Sequence, residues 1–314
     1  LACLALSSCV SMSGRYDKGS PVTIKKQDII RQPKENAKET SGGEFITAPG
    51  ENRVNDLLLL VLIKKSKSGI DFYSASALAA RGAGDFAKLN SITASNDSGY
   101  VSLNGIRTQS KSLELYSDSY IGVDSRKYRG TFIVTAADGM IYVINRVTMN
   151  EYLYGVLPSE VAPGWPQEIL KAQAVAALTF ALYGKMNRKT ELYDLESDVM
   201  SQVYKGADVE NENTNRAVND TDNEIITAGG NVIQAFFHSN SGGRTASSEE
   251  VWGGRLDYLV PVDDPYCRDG KHFKWQARIS RQKLSSLLEK NRLKAGEIYD
   301  IKITERTGAP ARLS

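Results

Sequence analysis

The chain is poor in the residues that build cross-links. Of its 314 residues, three are cysteine (Cys3, Cys9 and Cys267) and two are histidine (His238 and His272). An odd cysteine count without a short-range pairing motif gives no disulfide framework. No CxxC or HExxH spacing occurs, so a preformed zinc cage is not expected and no cofactor is implied. An excess of one charge is lacking too. The 39 Lys and Arg stand against 37 Asp and Glu, for a formal net charge of +2. So small a surplus argues against a nucleic-acid partner; it suits a neutral or mildly anionic polymer without pointing to one. Long hydrophobic runs are also missing. The longest, Leu57 to Ile63, falls far short of the ~20 residues a membrane-spanning helix needs, and it reads as a buried strand.

What is present is ordinary globular composition, 41% hydrophobic and 24% charged. That suffices for a sizeable core and for one large or two medium domains. The first nine residues, LACLALSSC, are an apolar run ending in small residues and read as the tail of a secretory signal peptide. Leu6-Ser7-Ser8-Cys9 has the form of a bacterial lipobox. Lipidated at Cys9, the chain would be an exported, membrane-anchored lipoprotein of the cell envelope, in the periplasm or on the outer face of the cytoplasmic membrane. The alternative is an accidental apolar end with a free thiol. Residues 10–50, rich in Lys, Ser, Gly, Glu and Pro, read either as a flexible tether or as a loose terminus without a role.

Residues 51–314 read as the folded region. From 54 to 147 the pattern is of short, turn-bounded strands, including Gly99 to Ile106 and Lys111 to Tyr116. The best hairpin spans Thr131 to Val147 and turns at Asp138-Gly139. The period then changes. Thr148 and Glu151 form a capping box that opens a short helix, which Pro158 is expected to end. Pro166 suits the first position of the next helix, which carries so many alanines that it should pack centrally. Thr214 to Asp222 reads as a helix, and a hairpin turns at Gly229-Gly230. Ser280 caps a helix to about Lys290, and IYDIKITER reads as a strand. The fold class is α+β: a strand-rich N-terminal part around a central alanine-rich helix, then hairpins and a strand-rich C-terminal part.

Glu160 is the first candidate for chemistry. It falls in a stretch expected to be a loop, bracketed by Pro158 and Pro163 and near Trp165. Prolines hold a loop still, and a nearby aromatic lowers polarity. Desolvation then raises a carboxyl pKa, as a general acid near neutral pH requires. On the residues alone, a solvated loop Glu or a helix cap is the competing reading, although Glu168 is better placed to cap at Pro166.

The run Met149 to Leu182, MNEYLYGVLPSEVAPGWPQEILKAQAVAALTFAL, is very similar to the signature of the stage II sporulation protein D family, SpoIID/LytB. Further blocks resemble it in order: Ser201-Gln202-Val203-Tyr204-Lys205-Gly206, then Asn215, Ala217 and Thr221, then Ala235 to Thr245. The similarity extends over roughly residues 50–314 and is tightest over 129–265.

The resemblance implies a peptidoglycan lytic transglycosylase. Such an enzyme cleaves the β-1,4 bond between N-acetylmuramic acid and N-acetylglucosamine and leaves 1,6-anhydro ends. Its sporulation members prefer glycan strands stripped of stem peptides. The family's catalytic Glu maps onto Glu160. A non-catalytic peptidoglycan binder that enhances a partner amidase is the second reading. A hydrolase with a second carboxylate is the third, with Glu249, Glu250, Asp263 and Asp264 as candidates only by proximity to a polar loop. Trp165, Gln173, Gln202, Tyr204, His238, Ser239, Ser241, Gly242 and Gly243 are candidates for substrate binding. For Gln173 and Tyr204 interior roles compete, and for the SNSGG loop a glycine-dependent tight turn competes. Ser241 with His238 lacks the strained G-x-S-x-G turn of a serine hydrolase. Two departures stand out. Leu178 occupies the position of the usual Arg, and Ser201 that of a Cys which in some members binds zinc, so a zinc site of that type is not expected here.

Overall fold

The computed structural model describes residues 54–84, 86–188, 190–198, 201–222, 224–270, 273–274, 276, 278–293 and 296–300, together with three short strand segments. Cys9 and nearly all of the 10–50 segment lie outside the described residues. The exception is β1, Thr23–Ile24, whose backbone pairs antiparallel with Thr227 and Ile226. The chain divides into two compact units, within residues 15–237 and 238–314.

The first unit is built on an eleven-stranded sheet. Its strands are β2 (Leu58–Ser66), β3 (Ile70–Arg81), β4 (Leu89–Asp97), β5 (Tyr100–Leu103), β6 (Ile106–Arg107), β7 (Ser112–Tyr116), β8 (Ile121–Val123), β9 (Arg126–Tyr128), β10 (Thr131–Ala137), β11 (Met140–Thr148) and β12 (Leu195–Glu196). The path runs β12-β2-β11-β10-β7-β3-β4-β5-β6, with β8 on β3 and β9 on β8. Pairing is antiparallel except where β12 joins β2 in parallel. Asp194 fixes that addition: its Oδ2 accepts from Leu60 N at 3.0 Å and from Lys185 Nζ at 3.3 Å.

The β10–β11 hairpin forms as its sequence requires. Asp138 and Gly139 both take positive φ, +50° and +70°, matching the right-handed twist of the flanking strands. Alternation along β10 sends Phe132 and Val134 inward against Leu115, Leu113 and Val143.

Three helices close the unit. α1 is Met149–Glu160, α2 is Gln167–Met186 and α3 is Glu212–Asp220. The capping box is present: Glu151 N donates to Thr148 Oγ1, and the Glu151 carboxylate accepts from Thr148 N. Pro158 does not end α1. A proline's fixed φ is helix-compatible, and in the last turn its missing N–H forfeits one bond. Met149, Tyr152, Leu153, Val156 and Leu157 are buried along the helix, and Val161 N closes its end on Leu157 O at 3.0 Å. That packing carries the helix two residues past the proline. α2 is central: Leu170, Ala174, Ala177, Ala181 and Leu182 lie in the main core. Pro166 is its N-cap rather than its first helical residue. α3 spans 212–220 where 214–222 was expected, with Asn211 as N-cap. The 226–232 hairpin turns at Gly229-Gly230 and is short, with β13 (Ile226–Ala228) and β14 (Asn231–Val232).

The second unit holds α4 (Ser248–Trp252) and α5 (Arg281–Lys290), with a single 3-10 turn at Pro265–Asp269 between them among the described residues. Ser280 Oγ caps α5 as its sequence position indicates. Of the expected IYDIKITER strand, Ile303–Glu305 forms β15, paired with β16 (Arg312–Leu313), residues 298–300 are not strand, and 301, 302 and 306 lie outside the described residues. The structure has both a large sheet and packed helices, and the class is α+β.

Candidate functional site around Glu160

Glu160 is the last residue of α1, not a loop residue. It therefore sits at the negative end of the helix dipole, which disfavours a carboxylate. Its side chain is half-buried. Oε1 accepts a hydrogen bond from Val203 N at 3.1 Å. Burial pushes the Glu160 pKa up, while the Val203 N–H and the Lys205 charge pull it down, and the net shift is upward. A carboxyl in that state holds its proton further toward neutral pH than a solvated Glu does.

The segment that meets Glu160 is clamped from beneath. Gln202 is buried; its Oε1 accepts from Tyr152 OH at 3.2 Å and its Nε2 donates to Ala177 O at 3.3 Å. Tyr204 is also buried. Its hydroxyl donates to Asn145 Oδ1 at 2.9 Å, and Asn145 Nδ2 in turn donates to Arg129 O and Thr131 O. Lys205 N donates to Gly155 O at 3.2 Å. Tyr204 packs at a tilt of 45° against Tyr152 with ring centroids 4.8 Å apart and reaches Tyr128 at 5.6 Å. Gly155 makes this approach possible: a Cβ there would lie 2.6 Å from Tyr204 Cε2 and 2.8 Å from Gly206 O. One strand residue (Asn145), two helices (α1 and α2) and the 202–205 segment thus converge beneath Glu160.

The sequence-predicted residues divide by depth. Trp165 is half-buried, packed on the main core from the turn between Glu160 and α2, with its backbone N–H donating to Ala162 O. Asn213 Nδ2 holds that turn through Pro163 O at 3.2 Å. Gln173, Gln202 and Tyr204 are each 1% exposed, so they lie under the surface and do not line it. Among the described residues Gln173 serves no buried backbone group: both its amide atoms are buried without a partner there, as is Ser159 Oγ next to Glu160. Unpaired buried polar atoms cost about 1–3 kcal/mol each. Glu168 caps nothing and pairs with Lys171.

His238, Ser239, Ser241, Gly242 and Gly243 belong to the second unit. His238 is exposed. Ser241 Oγ donates to Asp264 Oδ2 at 2.8 Å and accepts from Gly243 N, and Asn240 bridges Cys267 O and Gly242 N. Gly242 and Gly243 take φ of +71° and +111°, so the turn does require glycine. Its polar side chains are engaged in holding it. Three of the four acidic candidates also have structural partners. Glu250 completes a capping box with Ser247, Asp263 pairs with Arg244, and Asp264 holds Ser241 and Tyr266 N. Among the described residues, no group of three His, Cys, Asp or Glu is placed to hold a metal ion.

Asn145, Tyr152, Gly155 and Lys205 were not anticipated. A signal existed for Asn145, which is a polar residue at an inward position of the apolar run MIYVINRV.

Residues 137–227 match the family described as Stage II sporulation protein, SpoIID. The chain is 35% identical over 179 residues to an uncharacterized protein of Brachyspira hyodysenteriae, covering 57% of this chain and 48% of that one. It is 31% identical over 198 residues to the amidase enhancer of Bacillus subtilis, covering 60% and 26%. It is 27% identical over 146 residues to stage II sporulation protein D of Bacillus subtilis, covering 42% and 43%. The chain thus spans less than half the length of each of these relatives. The matched segment contains α1, Glu160, α2 and the 202–205 clamp, and over it the chain is similar to the SpoIID family.

Proposed function

We propose that this protein is a peptidoglycan lytic transglycosylase in which Glu160 is the single general acid and base. The SpoIID match over residues 137–227 and the relatives' names support a role in cell-wall metabolism. The observation that carries the finer reading is the half-buried Glu160 carboxyl, with its pKa raised by burial and one oxygen held by Val203 N. The protonated carboxyl donates to the bridging oxygen as the bond between N-acetylmuramic acid and N-acetylglucosamine breaks. The carboxylate that results takes the proton from the sugar's own 6-hydroxyl, which closes onto C1 as the 1,6-anhydro ring. One carboxyl serves both steps, whereas hydrolysis by water generally needs two. Attack from within the ring avoids the entropy cost of recruiting water.

In this reading Trp165 lines the glycan path, and Gln202 and Tyr204 position the Glu160 partner from below. The His238–Gly243 turn remains a proposed contributor to glycan binding, whereas Gln173, buried beneath the surface, would not touch the strand. The N-terminal run extends the proposal to an exported protein attached to the membrane through lipid on Cys9.

A second reading has one observation in its favour: one relative is named an amidase enhancer. A chain of that kind would bind glycan and stimulate a partner amidase without cutting. Digestion of purified sacculi, with and without amidase pretreatment, separates the two. Products lighter by one water than hydrolysis products, absent with Glu160→Gln, support the transglycosylase. Faster amidase action with no anhydro products supports the enhancer.

A further inference from the structure

The large sheet carries a second, smaller apolar cluster on the face turned away from α1 and α2. Strand register lines up one row of side chains across that face: Leu62, Ile144, Ile133, Glu114 and Arg81, each opposite the next on β2, β11, β10, β7 and β3. Arg146 joins the same face two residues beyond Ile144. Leu192 and Tyr193 pack against the apolar end of the row, where Leu62 and Ile144 lie. The charged end opens as a pocket of about 310 Å³, whose lining includes Ile133, Ser112, Glu114, Arg81 and Arg146. That volume is near the lower end of small-ligand sites.

Two guanidiniums meet one carboxylate there. Glu114 Oε1 accepts from Arg146 Nη1 at 3.0 Å and from Thr131 Oγ1 at 2.7 Å, and its Oε2 accepts from Arg81 Nη1 at 2.9 Å. Burial pushes the Glu114 pKa up, but Thr131 and the two arginines pull it below the usual value. The group is therefore ionised, and the three side chains keep one positive charge in excess. The Glu114 side chain is 16% exposed, against 70% for Arg81 and 39% for Arg146. Glu114 is thus the buried anchor, and the arginines form the accessible rim. Arg81 is further held over the Tyr116 ring, 5.2 Å from its centroid. Each guanidinium gives Glu114 one nitrogen, and among the described residues its other N–H groups have no hydrogen-bond partner. A guanidinium fork in that state matches a second carboxylate.

We propose that this pocket binds the terminal carboxylate of a short peptide, held between Arg81 and Arg146. One excess positive charge suits a monoanion better than a phosphate dianion. Ile133 supplies an apolar wall of one side chain, which suits a residue as small as alanine. The Ser112 hydroxyl, 2.9 Å from Thr135 Oγ1, is the neutral polar group beside them and suits a peptide amide. The site lies on the face of the sheet away from α1 and does not rest on the reading of Glu160.

The test uses the full chain and acetyl-alanyl-alanine as the probe, as free acid and as amide, in L,L and D,D forms. Calorimetry at low salt reads the binding. The free acid should bind about tenfold or more tighter than the amide, the scale of a charge-assisted hydrogen bond, and added salt should weaken it. Arg81→Met and Arg146→Met should each lose the preference for the acid. Arg81→Lys and Arg146→Lys should keep part of it, because the charge stays and the fork is lost. Thermal melts check that each variant is folded, and the Lys variants carry the test if a Met variant is not. Glu160→Gln should bind the probe as wild type does. A preference for the D,D acid supports the proposal with wall peptides as the source, and a preference for the L,L acid supports it with protein C-termini as the source. Equal binding of acid and amide by wild type would overturn it, as would a preference left intact in the folded arginine variants. Loss of binding in Glu160→Gln, or inorganic phosphate that binds more tightly than the dipeptide, would overturn it as well.

Discussion

The backbone N–H of Val203 donates to Glu160 Oε1 across 3.1 Å, tying the end of α1 to a segment that follows it by 43 residues. That bond supports the ionised carboxyl and burial opposes it; burial prevails. The balance leads to a pH dependence for both activity and stability.

For activity, the donor must be protonated. The rate of anhydro-product formation should fall as pH rises through the raised Glu160 pKa, and Glu160→Gln should form no anhydro product at any pH. In Lys205→Met the pull toward ionisation is gone, so the limb moves to higher pH. A limb that stays in place would separate Lys205 from Glu160.

For stability, a group whose folded pKa is raised favours the folded state below its unfolded pKa. That contribution is lost as pH rises through the folded value. Glu160→Gln should therefore melt no lower than wild type at neutral pH. Its relative advantage should grow between a weakly acidic pH and pH 7. Thermal melts at several pH values check this, and an advantage confined to acid pH would contradict the burial-dominated balance.

Gly155→Ala places a methyl group 2.6 Å from the Tyr204 ring and 2.8 Å from Gly206 O. Overpacking of this kind costs about 1–3 kcal/mol, against about 1 kcal/mol gained from helix propensity. A net loss in urea denaturation is expected, with a larger loss of activity because the 203–205 segment is pushed off α1.

Tyr204→Phe removes the donor to Asn145 Oδ1, and both residues are buried. An acceptor left unpaired in the interior costs about 1–3 kcal/mol. The expected result is a lower urea midpoint with an unchanged m-value. No change in midpoint would mean that the bond does not contribute.

Thr148→Ala deletes the capping box that starts α1. Loss of such a cap costs about 1 kcal/mol. The same denaturation series should show it, while the pH at which activity falls stays in place, because Thr148 lies at the other end of the helix from Glu160.

Local signals were legible wherever the deciding partners lie within a few residues. Thr148 and Glu151, Asp138-Gly139, and Ser280 act through bonds or dihedrals of their own neighbourhood, and each forms as written. The ordered motifs from Met149 to Gly206 also pointed to the family before any fold was known. Pro158 misled because a local rule met a tertiary fact: the buried face of α1 outweighs one missing hydrogen bond.

By itself, then, the sequence determined where α1 and α2 begin, that alanines let α2 pack centrally, and that Glu160 lies between two helical runs. Only the tertiary structure decided that Glu160 ends a helix and meets Val203 and Lys205, and that Gln173, Gln202 and Tyr204 lie in the interior. The reason is physical. Those outcomes depend on burial and on hydrogen bonds such as Tyr204 to Asn145, made between residues 59 positions apart, and no local pattern encodes which distant partner a polar side chain will find.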